Sequence, residues 1–158
     1  MSPVSLRKST EKDFEIFFQN QLDEEATYMA AFTPENPFDK EAYMTKWKRL
    51  LAGDTVYMQT ILLDTGAIAG SVLSFEMRGE LLVAYWLGKE YWNKGIATEA
   101  LKQFLAIQTT RPIYGRAAAD NHRSKRVLEK CGFTLHVQEK GFANARKMEI
   151  DEVVYVLE

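Results

Sequence analysis

The 158 residues hold one cysteine, Cys131, and two histidines, His122 and His136. A single thiol cannot close an intrachain disulfide. No Cys or His cluster has the spacing of a zinc site, so no metal is expected. Neither sign of charge dominates: 20 Lys and Arg stand against 22 Asp and Glu, interspersed, for a net charge of −2. That balance argues against broad electrostatic binding to nucleic acid or to an anionic membrane. No run approaches the ~18 apolar residues of a membrane span, and the first residues have no apolar stretch of leader length. The expectation is a soluble, cytoplasmic chain. Both G-x-x-x-x-G-K-[ST] and G-x-G-x-x-G are missing, which excludes a P-loop nucleotide site and a Rossmann dinucleotide site. There is no repeat, low-complexity tract or linker. The proline loop "FTPENPFD" (32–39) is too short and too early to divide the chain. One domain over 1–158 is expected.

What is present is a 46% hydrophobic content, enough for a full core. "VSLRK" (4–8) reads as a short strand. Thr10 followed by Asp13 resembles a capping box, after which Phe14, Phe17 and Phe18 share one helical face. "DEEATYMAA" is a second helical piece. Asp39 can cap a helix over 40–52, with Tyr43, Trp47, Leu50 and Leu51 on its apolar side and Gly53 at its end. The period then shortens. Strands over 55–63 and 67–77 form a hairpin about Asp64-Thr65-Gly66, and "LLVAYWLG" (81–88) has the continuous apolarity of a strand covered on both faces. A helix from Gly95 to about Thr109, a strand over 112–119 and the helix "NHRSKRVLEKC", ended by Gly132, make a βαβ unit with a parallel pair at its centre. "FTLHVQEK" and "MEIDEVVYVLE" close the chain as two strands about a turn at 141–146. A mixed α/β sheet with helices on both faces results. The edges of the last hairpin offer a route to a homodimer, which nothing in the sequence requires.

The segment "YWNKGIATEALKQFL" (91–105) carries the chemistry. A helix N-terminus presents unpaired backbone N–H groups and the positive end of the helix dipole. Phosphate binds there when side chains leave the backbone clear. Gly95 and Ala97 supply that clearance, Lys94 a charge and Thr98 a hydroxyl. An ordinary helix start is the other reading of the same glycine.

"VAYWLGKEYWNKGIATEAL" (83–101) resembles the acyl-CoA signature of the GNAT family of N-acyltransferases, with Trp92, Gly95 and Ala97 in the family register. Trp at the first of these positions is similar to the branch of ribosomal-protein alanine acetyltransferases. "DNHRSKRVLEKCGF" (120–133) resembles that branch's second motif, and "VSLRKSTEKDFE" its first strand and helix. The resemblance covers nearly the whole chain. It implies a mostly antiparallel mixed sheet whose central parallel strands, 81–88 and 112–119, splay apart. Pantetheine would fill the gap, and the diphosphate of acetyl-CoA would sit on Asn93, Lys94, Gly95, Ile96, Ala97 and Thr98. Leu87, between Trp86 and Gly88, would offer its N–H near the thioester oxygen, and the Asn121 amide would reach the arm from the other side.

The implied reaction is acetyl transfer from the CoA thioester to a primary amine, of a peptide N-terminus or a small molecule. An amine attacks only when neutral, so its proton needs an acceptor, and the departing thiolate is helped by a hydroxyl. Many relatives place a Tyr four residues before the Gly of Gly-Phe; here that residue is Leu128. Ser124, one turn inside the same helix, is the replacement candidate, with plain helix capping as its other reading. No carboxylate precedes Tyr85-Trp86 on the central strand. Glu76 is the candidate base, with a solvated edge charge as the alternative, and Glu80 is the other nearby carboxylate. Strand alternation makes at least one of Tyr85 and Trp86 simply core. Cys131 reads as a structural thiol and His122 as a solvated side chain. Arg123, Lys125 and Arg126 suit either a nucleotide phosphate or plain solvation. The missing Tyr and carboxylate keep a second function open, a non-catalytic acyl-CoA-binding sensor or subunit.

Overall fold

The computed structural model describes residues 3–158. Seven strands form one sheet in the order β1-β2-β3-β4-β5-β7-β6. They are β1 (Val4–Lys8), β2 (Tyr57–Leu63), β3 (Ile68–Met77), β4 (Glu80–Leu87), β5 (Ile113–Ala118), β6 (Thr134–Ala143) and β7 (Met148–Leu157). Every neighbouring pair is antiparallel except β4 and β5. The helices are α1 (Phe14–Asn20), α2 (Glu24–Ala30), α3 (Lys40–Ala52), α4 (Ile96–Ile107) and α5 (His122–Lys130). No helix among the described residues is long and apolar enough to cross a membrane.

Alternation along the central strands decides which helices lie where. Val72, Val83, Leu87, Ile113 and Ala117 turn to the face covered by α4 and α5, and pack with Leu101, Phe104 and Leu128. Leu73, Phe75 and Ala84 turn to the other face, where Phe14 and Phe17 of α1 and Trp47 of α3 cover them. Both faces of β4 are therefore buried, which is why its sequence is continuously apolar. Phe14, Phe17 and Phe18 are all buried, as their helical spacing demands.

The corner from β1 into α1 is held by a polar knot. Asp13, 2% exposed, accepts hydrogen bonds from both guanidinium ends of Arg7 (2.8 and 2.7 Å), from the Thr10 N–H (3.0 Å) and from the Thr60 hydroxyl (2.8 Å). Burial alone would raise its carboxyl. The bonds from Arg7, Thr10 and Thr60 outweigh that and hold it below the usual carboxylate range.

Gly53 ends α3 where the sequence reading puts it, in extended conformation (φ −71°, ψ 131°). One detail differs: the last turn falls later, because β6 runs on to Ala143 and pairs with Met148. β7 lies between β5 and β6, so the chain's last strand joins the parallel unit to the exposed edge.

Candidate active site

The site begins with a hairpin. β3 and β4 are joined by Arg78-Gly79, both at positive φ (54° and 82°), with Met77 facing Glu80. In such a two-residue turn the flanking residues exchange both backbone bonds. Alternation then sends the N–H and C=O of Leu81, Val83, Tyr85 and Leu87 away from β3. The far end agrees, since the Gly88 N–H donates to the Ala69 carbonyl at 2.9 Å. β5 meets those outward groups only briefly: Leu82 pairs with Tyr114 and Val83 with Gly115, and there the register ends. Tyr85 and Leu87 thus turn their backbones toward a gap between two parallel strands. Gly70 keeps β3 close on the other side, its α-carbon lying against the Trp86 carbonyl with no room for a side chain.

Beyond the gap, α4 starts. Asp23, Asp39 and Asn121 cap α2, α3 and α5 through their side chains, but Gly95 opens α4 with no side-chain cap. Its φ of 75° lies in the left-handed region, and Asn93 just before it has φ 61°. The first N–H groups of α4 therefore face outward over a bare turn. Trp92 ties this turn to the strand, its indole N–H donating to the Leu87 carbonyl at 3.3 Å. The Arg123 guanidinium lies over the Trp92 ring at 3.9 Å from its centre.

The opposite wall is the start of α5. The Asn121 amide oxygen accepts the Ser124 N–H at 3.2 Å, and its NH₂ donates to the Met29 carbonyl of α2 at 3.3 Å. The Tyr85 hydroxyl reaches across from β4. It lies 2.7 Å from the Ser124 hydroxyl and 3.1 Å from the Ser124 carbonyl.

These parts enclose one cleft of about 340 Å³. Of the residues singled out in the sequence, Trp86, Leu87, Trp92, Asn93, Gly95, Ile96, Ala97, Thr98, Asn121 and Ser124 line it. Gly88 and Lys94 lie beside it without lining it: Gly88 is buried against Asn20, and Lys94 is exposed. The structure does not bring Glu76 to the cleft. Glu76 is exposed and pairs with Leu81, four residues before Tyr85, so it sits ~13 Å down the strand at the other end of β4. Glu80 is likewise remote and pairs with Arg116 at 3.4 Å. Asn121 spends its amide largely on capping α5 and holding α2. Cys131 donates to the Thr98 carbonyl at 3.6 Å, and burial raises its thiol, so it is structural. His122 is exposed.

Sequence reasoning undervalued Tyr85 by treating the Tyr85-Trp86 pair as partly core. Tyr85 shares a face with Val83 and Leu87, the face that α5 covers, and that parity was the available signal. Ala26, Met29 and Ala30 of α2, within the segment 22–40 that the sequence reading expects to shape the acceptor site, also line the cleft. The charged lining residues are Arg123, Arg126 and Lys130; among the described lining residues none is a carboxylate. The cleft therefore suits a long, anionic ligand whose own amides can bond to a strand edge.

Comparison with known proteins agrees. Residues 4–134 match the acetyltransferase (GNAT) domain family. YdaF of Bacillus subtilis (strain 168), a proposed ribosomal N-acetyltransferase, is 26% identical over 161 residues, covering 95% of this chain and 86% of its own. Two solved structures share the fold. One is RimL, the ribosomal L7/L12 alpha-N-protein acetyltransferase, in complex with coenzyme A (TM-score 0.84, 18% identity, 99% of this chain and 93% of that one). The other is spermidine N-acetyltransferase from Vibrio cholerae with CoA and spermine (TM-score 0.78, 17% identity, 99% and 96%). Parted central strands, an uncapped α4 and a domain match spanning both place this chain in the GNAT acetyltransferase family.

Proposed function

We propose that the protein transfers an acetyl group from acetyl-CoA to a primary amine, a peptide N-terminus or a small-molecule amine, by direct attack. The observation that carries this reading is the gap beside Tyr85 and Leu87, which leads without interruption onto the bare N-terminus of α4. Pantetheine amides would pair with the outward backbone groups of those two residues. The diphosphate would lie on the N–H groups of Ile96, Ala97 and Thr98, over Gly95, with Asn93 and Lys94 at the turn. Trp86 and Gly88 shape the strand end, and Trp92 braces it. Arg123, Arg126 and Lys130 face the phosphates of the nucleotide end. Asn121 keeps one amide hydrogen for the arm.

In the reaction the amine nitrogen forms a bond to the thioester carbon and the C–S bond breaks. The Leu87 N–H is turned toward the carbonyl oxygen that gains charge. The Ser124 hydroxyl donates to the departing sulfur. With no carboxylate among the described residues of the cleft wall, water takes the amine proton. The acceptor side, Ala26, Met29, Ala30 and Trp86, is apolar, which favours an amine flanked by apolar groups over a polycation. The test is thiol release from acetyl-CoA with peptides of different N-terminal residues, amino acids, polyamines and aminoglycosides. Amine-dependent release is expected. Release with none of them, together with a raised melting temperature in acetyl-CoA, would leave a CoA-binding protein without turnover and overturn the proposal.

A further inference from the structure

Building on the acetyl-transfer reading, we propose that Tyr85 is a positioning residue that aims the Ser124 hydroxyl at the departing sulfur. The two hydroxyls lie 2.7 Å apart inside the cleft, one from β4 and one from α5, so they span the gap where the strands part. The Tyr85 ring is packed into the core that α4 and α5 cover, which fixes its oxygen. A serine hydroxyl in a first helical turn commonly spends its hydrogen on a carbonyl of the turn before. Here Tyr85 is the partner of the Ser124 side chain among the described residues, and the phenol's one hydrogen has two acceptors in reach, Ser124 Oγ at 2.7 Å and the Ser124 carbonyl at 3.1 Å. In the arrangement proposed, that hydrogen goes to Oγ, the nearer of the two acceptors, and the serine hydrogen is then the one left to point into the cleft.

Two surroundings support this division of labour. Burial raises the Tyr85 phenol strongly, only partly offset by its contact with Ser124, so the phenol stays neutral and keeps its hydrogen to donate. Leu128, one turn further along α5, is buried and packs against Gly115 of β5, so that inward position belongs to the core and brings no hydroxyl to the cleft. The step balances without net transfer through either hydroxyl. The C–S electron pair stays on sulfur, and the thiolate accepts a hydrogen bond from Ser124. The proton that completes the thiol is the one water took from the amine nitrogen.

The test is a double-mutant cycle of Tyr85→Phe and Ser124→Ala in steady-state acetyl transfer, with the amine that serves the wild-type protein best. Phe keeps the packed ring and removes only the hydroxyl. Tyr85→Phe is expected to lower kcat about tenfold, with KM for acetyl-CoA within about twofold of wild type. Added to Ser124→Ala, it is expected to lower kcat no further. Equal losses in both backgrounds, or a change confined to KM, would show a structural role and overturn this inference alone. A wild-type protein inert toward every amine would overturn the acetyl-transfer reading and this inference with it.

Discussion

Gly95 and Gly66 form a matched pair that separates backbone strain from ligand clearance. Both sit in the left-handed region, at φ 75° and 87°, and at neither would an added Cβ meet an atom within 4 Å. Alanine at either position therefore clashes with nothing and costs only its conformation, about 1–2 kcal/mol. For a chain of this length each kcal/mol lowers the melting temperature by roughly 2–4 °C. The two substitutions should thus melt alike. They differ in what their methyl groups would cover. Gly66 lies in the β2–β3 turn, where its N–H bonds to the Leu63 carbonyl at 3.0 Å, away from the cleft lining. Gly95 caps α4 over the N–H groups assigned to the diphosphate. Gly95→Ala should weaken acetyl-CoA binding at least tenfold, about 1.4 kcal/mol, by titration calorimetry, while Gly66→Ala leaves it unchanged. Equal affinities in the two variants would refute the diphosphate cradle, whatever their stabilities.

Asp13→Asn removes a buried carboxylate that satisfies Arg7, Thr10 and Thr60, and should cost about 2–4 kcal/mol in urea unfolding, reduced because Arg7 is 40% exposed. The Asp13 carboxyl is held below its unfolded value, so its contribution is full above that value and is lost as pH falls through the lower folded one. Wild-type stability should therefore drop toward acid pH more steeply than that of Asp13→Asn. Gly115→Ala puts a Cβ 2.6 Å from Leu128 Cδ2, and should cost about 1–3 kcal/mol. Combined with Leu128→Ala, the loss should be smaller than the sum of the two, because the smaller side chain removes the clash. Arg126→Ala with Lys130→Ala should weaken acetyl-CoA several-fold and flatten its dependence on salt, with melting unchanged.

Most of this architecture was legible because single residues carry strong local signals. Gly132 stops α5 at φ 91°, Asp39 caps α3 through the Ala42 N–H, and the three Phe of α1 share a buried face. The bare turn before α4 was legible for the same reason, since a glycine-led helix start is a local feature. What was not legible depends on pairs distant in the chain. Tyr85 meets Ser124 across 39 residues, and Asn121 meets Met29 across 92. Neither spacing leaves a periodic mark in the sequence. Glu76 was misplaced for a related reason: a residue near in sequence to the strand that lines the cleft can still lie at that strand's far end, because antiparallel pairing puts Glu76 opposite Leu81. Position along β4, rather than proximity to it, decides access to the gap.

The most direct measurement of the central claim uses acetyl-CoA isotopically labelled in its acetyl carbon, with mass spectrometry of the products after incubation with the best amine of the panel. The account predicts label in an amide of the amine, in step with thiol release, and loss of both in Gly95→Ala at limiting acetyl-CoA. Label found only in free acetate, or retained on acetyl-CoA throughout, would contradict direct transfer to an amine.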